Sequence, residues 1–155
     1  MTRLHKFIVR TCIVGLLAFA EPLGADAYAE SWEVVGSTYN SVAFVDRASF
    51  STAKRVRIVN ALRVSGQPQT DGWRSTTQRI RIDCAGRLMG DEGSMVESFD
   101  GLKTAYGPTA AVQPVPKRGV FARLYESVCE GRHGQKVADP KAWTLRNFKV
   151  GDELP

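Results

Sequence analysis

The stretch Gln78-Arg79-Ile80-Arg81-Ile82-Asp83-Cys84-Ala85-Gly86 (QRIRIDCAG) alternates apolar and charged residues, then stops at a cysteine and two small residues. Strict alternation is the signature of a half-buried strand. Ile80, Ile82 and Cys84 share one face, and Arg79, Arg81 and Asp83 share the other. Cys84 therefore points toward the core, and Ala85-Gly86 suits a tight turn. An inward cysteine raises the question of a partner, and the 155-residue chain offers Cys12 and Cys129.

Cys12 lies in a segment of different character. MTRLHKFIVR carries Arg3, Lys6 and Arg10, the apolar run TCIVGLLAFA follows, and EPLGADAYAE supplies Ala25, Ala27 and Ala29. This order predicts a signal peptide over residues 1–29, cleaved after Ala29, with Ala27 and Ala20 as alternative sites. The apolar run is too short for a transmembrane helix. Val9-Arg10-Thr11 ahead of Cys12 does not fit a lipidation site, so no lipid anchor is expected. The mature chain keeps two cysteines in an oxidising compartment, which predicts a Cys84–Cys129 disulfide. No CxxC and no histidine cluster accompanies them, and no glycine loop suits a phosphate, so neither metal nor cofactor is expected.

Upstream of this strand, SWEVVG (Ser31 to Gly36) and SVAFVDRASF (Ser41 to Phe50) read as strands. AKRVRIVNALRV (Ala53 to Val64) places Val56, Ile58 and Leu62 on one face and Arg55, Arg57 and Arg63 on the other. SGQPQTDG is a loop by composition. Beyond the cysteine, RLMGDEGSMVESF (Arg87 to Phe99) reads as one broken strand or a pair, interrupted at Gly90 and Gly93. Pro108, Pro114 and Pro116 mark a loop. From Lys117 to Gly131 the period changes: Val120, Phe121, Leu124, Tyr125 and Val128 recur at three and four residues. That is an amphipathic helix with Gly131 placed to end it. Cys129 follows the apolar stripe, so a disulfide to Cys84 would staple the helix to the apolar sheet face. Residues 132–155 read as a polar tail in which Trp143 and Phe148 are candidate anchors; undocked, it would be a free interaction segment.

The order of these features resembles the surface-adhesin protein E family of bacterial secreted proteins. The matching pieces are SWEVVG, AFVDRASF, RVRIVNAL, IRIDCAG and FARLYESVC, spanning about residues 31–131. They carry Trp32, the Asp46-x-x-Ser49 step, Ile82-Asp83-Cys84 and Val128-Cys129. The resemblance implies an α+β fold: a curved antiparallel sheet of roughly six strands, with a C-terminal helix tied to its concave face by the disulfide. It implies a domain over residues 30–131, adhesin-like binding of host proteins, and a capacity to dimerise. The chain departs from the pattern at Gln113, where a Trp is expected, in lacking a lipidation cysteine, and in its tail.

Charge leaves room for an acidic partner. The chain has 21 Lys+Arg and 16 Asp+Glu, net +5; residues 1–29 remove three basic and two acidic residues, leaving +4. Pairing the Arg55–Arg63 strand with Thr76–Asp83 is expected to bring Arg57 near Arg79 and Arg55 near Arg81. Such a basic face would suit a polyanion, or would be solvated and balanced by Asp83 and Glu97. Enzymatic residues are sparse. His133 is the single histidine after residue 29 and sits in a polar glycine-rich loop. Asp91 and Glu92 are adjacent, so on a strand they face opposite ways. The expectation is a non-catalytic, exported binding module in the periplasm or on the outer surface of a bacterial cell. The alternative is a periplasmic structural or accessory protein with no host ligand. Neither nucleic acid nor a transmembrane segment is expected.

Overall fold

The computed structural model describes residues 31–53, 55–67, 72–109 and 111–152, and the expected signal peptide lies outside them. Five strands form an antiparallel meander: β1 (Trp32–Ser37), β2 (Ser41–Ala53), β3 (Val56–Ser65), β4 (Trp73–Asp83) and β5 (Leu88–Ser98). β6 (Lys103–Tyr106) and the short β7 (Gln113–Pro114) both pair with β5, at different ends of it. Helix α1 (Val120–Cys129) comes next, then β8 (Lys136–Val137) against β1, then helix α2 (Pro140–Asn147). The spatial order is β6-β5-β4-β3-β2-β1-β8. The antiparallel sheet, the helix and the disulfide are as expected. The strand number rises from six to eight because β7 and β8 are two residues each, too short to show a period.

Both faces of the sheet are covered. On one, Val45, Val59, Ile80, Ile82 and Met89 pack against Leu124, Tyr125 and Val128 of α1. On the other, Trp32, Val42, Phe44, Leu62 and Val64 pack with Val137 and Phe148, and Trp143 of α2 joins them. Trp143 meets the ring of Phe44 edge-on at 5.9 Å. Burial on both sides explains why β2 opens with six consecutive buried residues, Ser41 to Asp46, in place of an alternation.

The Asp46-x-x-Ser49 step is a bulge. Asp46 pairs with Asn60 and Ser51 with Ile58, so the four residues Arg47 to Phe50 lie opposite Val59 alone. Buried Asp46 accepts from the Ser31 and Ala48 N–H groups at 2.9 and 3.0 Å. The Ser49 hydroxyl donates to the Asp46 carbonyl at 2.7 Å and accepts from the Asn60 N–H at 2.8 Å. A short acid and a hydroxyl three residues on thus supply the partners that an interrupted ladder loses.

The residues after Gly131 join the same sheet. Gly131, at φ 73°, takes the left-handed turn that ends α1. Gly134 then passes so close to β1 that an added Cβ would lie 1.8 Å from the Val34 carbonyl oxygen. Asp139 caps α2, accepting from the Ala142 N–H at 3.0 Å, and Pro140 occupies the first turn. Asp-Pro ahead of a helix is a readable start signal, so α2 was within reach of the sequence. Its apolar residues do not form a stripe, which is why the tail reads as polar.

Candidate functional site

The disulfide between Cys84 and Cys129 sets the position of α1. Their Cα atoms are 5.6 Å apart. Cys84 opens the turn after β4, where Asp83 accepts from the Ala85 and Gly86 N–H groups at 3.1 and 3.0 Å. The Tyr125 hydroxyl donates to the Cys84 carbonyl at 2.7 Å, and Arg87 lies over the Tyr125 ring at 4.2 Å. The C-terminal end of α1 is therefore fixed to the sheet by a covalent bond, a hydrogen bond and a stacked cation.

The expected pairing of arginines across β3 and β4 is not what forms. Arg57 lies opposite Ile82, Asn60 opposite Arg79, and Ile58 opposite Arg81. The observed register differs from the expected one by three residues, and an odd slip exchanges the faces. The reason is burial: this register brings Val59 opposite Ile80 on the α1 face, where both are buried. Arg57 thus shares the α1 face and donates to the Val128 carbonyl at the end of the helix. Arg79 and Arg81 are on the opposite face. Arg55 pairs with Asp83 at 3.4 Å and Arg81 with Glu92 at 3.3 Å. Glu97 pairs instead with Lys141 of α2 at 2.6 Å, which holds its carboxyl below the ordinary value. Asp91 is occupied by the Gly93 N–H at 2.7 Å. The four arginines do not form one patch.

Glu33, on β1, is 2% exposed and belongs to the α1 face. Arg47 donates to it through Nε at 2.9 Å, and through its other nitrogens to the Ser127 carbonyl, the Ser127 hydroxyl and the Arg132 carbonyl. His133 Nδ1 is 3.3 Å from the same carboxylate, although most of its ring is exposed. Burial raises the Glu33 pKa; the bonds from Arg47, His133 and Gly134 together outweigh it, and the net shift is downward. This network clamps β1 and β2 to the same C-terminal end of α1.

Two openings flank α1. A basic groove of about 620 Å³ runs beside β1 and the helix, with Lys117, Arg118, Arg123, Arg132 and His133 along it. Glu126 is the one carboxylate among the described residues that line it, and Arg132 pairs with it at 3.0 Å. Arg123 crosses β1 at Gly36, where an added Cβ would meet its Cδ at 3.0 Å. An apolar cleft of about 220 Å³ opens between the first turns of α1 and the sheet. Val35, Ala43, Ala61, Ile80 and Leu124 wall it, Phe121 stands at its side 42% exposed, and Arg63 and Arg118 contribute the cations. Arg118 and Gly119 border both openings. Sequence reasoning did not place these residues at an opening. Arg118 lies in a polar junction, and the pattern of the helix placed Phe121 in the core stripe.

The fold and the openings together define a disulfide-tied, mostly antiparallel sheet domain with a basic groove and an apolar cleft beside its helix. The chain is similar in structure to Haemophilus influenzae protein E, with a TM-score of 0.45 and 12% identity, over 57% of this chain and 80% of that chain. No protein-family model and no curated protein matches the chain. No helix among the described residues is long and apolar enough to cross a membrane.

Proposed function

We propose that the protein is an exported, non-catalytic, adhesin-like binding module of the cell envelope, and that the groove beside α1 takes an acidic host protein or polyanion. The observation that carries this is the run of Lys117, Arg118, Arg123 and Arg132 along one groove, against a single lining carboxylate, Glu126. Cations concentrated in a concave surface focus the field and favour an anionic partner. The resemblance of the residue pattern to the surface-adhesin protein E family supports a binding role. The Cys84–Cys129 bridge supports export, because such bonds persist in oxidising compartments.

The test uses heparin as a polyanion probe on the purified full chain. Lys117→Glu with Arg132→Glu is expected to weaken binding by about tenfold or more and to flatten its salt dependence. Arg55→Glu with Arg79→Glu, away from the groove, is expected to leave it unchanged. Equal losses in both pairs would mean a diffuse charge effect and would remove the groove from the proposal. Protease shaving of intact cells, with a periplasmic protein as control, tests location. Digestion in intact cells supports an adhesin, and protection until the outer membrane is opened favours a periplasmic accessory role.

A further inference from the structure

The apolar cleft calls for a different chemistry from the groove beside it. Ala43 and Ala61 lie on neighbouring strands, at positions where β-branched residues are the usual choice. Together with Leu124 of α1, which packs in one cluster with Ile80 of β4, they leave about 220 Å³ open. That is below the range of about 300–1,000 Å³ for drug-sized ligands, so the occupant is slim. Thr38 and Gln78 are the uncharged polar side chains among the described residues that line the cleft. A peptide entering it would leave most of its N–H and C=O groups unpaired, which is costly. A hydrocarbon chain brings no such groups.

The charges in the lining are of one sign. Arg63 stands directly opposite Ala43 in the pairing of β2 with β3, and its guanidinium is 4.7 Å above the Trp73 ring. Arg118 is exposed at the approach to α1. Neither makes an ion pair among the described residues, and no carboxylate among them lines the cleft. We propose that the cleft binds a single-chain carboxylate amphiphile. Its chain lies against Ala43, Ala61 and Ile80, and its head group lies by Arg63 and Arg118. This deepens the binding role proposed above, with which it shares Arg118, and its test leaves Arg118 untouched.

The experiment is calorimetric titration of the purified full chain with hexanoate, octanoate and decanoate. Affinity is expected to rise about fourfold for each CH2 buried, until the cleft is filled. Octanol, which lacks the charge, is expected to bind about tenfold or more weaker than octanoate. Arg63→Glu should abolish the preference for octanoate over octanol while leaving octanol binding intact. Ala61→Phe should fill the cleft and block both; Phe121→Glu, at a side chain already 42% exposed, is the second variant and should weaken decanoate without unfolding the protein. An affinity independent of chain length would overturn the proposal, as would a Phe121→Glu protein that binds decanoate like the parent. Binding to phosphatidylglycerol vesicles with none to free decanoate would also overturn it, in favour of a membrane surface. Loss of heparin binding in Lys117→Glu/Arg132→Glu with decanoate binding retained would separate the groove from the cleft.

Discussion

Arg47 is the residue on which most of the α1 side converges. It satisfies a carboxylate that is 2% exposed and reaches three further acceptors on the segment from Ser127 to Arg132. Removing one partner of a buried pair leaves a charge without compensation. Arg47→Met is expected to cost about 3 kcal/mol in urea unfolding, and Arg47→Met with Glu33→Gln to cost less than the sum of the two single changes. Gly134 is a second such residue. Its contact is with backbone, at 1.8 Å for an added Cβ, so the neighbour cannot swing aside. Gly134→Ala is expected to destabilise by about 1–3 kcal/mol and to loosen β8 from β1, read as faster amide exchange at Val34, whose N–H donates to the Gln135 carbonyl at 2.9 Å. The parity of Arg57 and Arg79 was visible in the alternation of each strand. Their register was not, because it depends on which faces become buried across strands.

At the scale of elements, α1 is held at one end and open at the other. The bridge spans 45 residues of sequence, and the chain-entropy estimate for a loop of that length is about 4 kcal/mol. Cys84→Ser with Cys129→Ser is expected to lower stability by about that amount, seen as a lower urea midpoint with a steeper slope, because the unfolded chain without the bridge exposes more surface. Tyr125, Leu124 and Val128 keep packing without the bridge, so the variant should retain the sheet signal in circular dichroism while α1 exchanges faster. The helix was legible because its period is strong and Gly131 ends it. The exposure of Phe121 was not, since a stripe seen in sequence does not reveal where the sheet beneath it falls away.

For the whole molecule, acid is the informative variable. Glu33 and Glu97 both have folded-state pKa values below the ordinary 4.5, Glu33 through bonds that overcome its burial and Glu97 through its bond from Lys141. Depressed carboxylates stabilise the fold above their unfolded value, and that contribution disappears as pH falls through the folded values. Urea midpoints are therefore expected to drop as pH falls below about 4.5, and Glu33→Gln with Glu97→Gln should flatten the drop. The two sites clamp opposite faces, one tying α1 to β1 and β2, the other tying α2 to β5. Alternation, a change of period and a count of cysteines were enough to specify β1 to β5, α1 and the disulfide, because each is a local pattern or a pairing with one solution. The register of β3 on β4, the docking of α2, the groove and the cleft all depend on residues distant in sequence meeting across packed faces. Burial on both faces of one sheet settles those contacts, and no single segment carries that information.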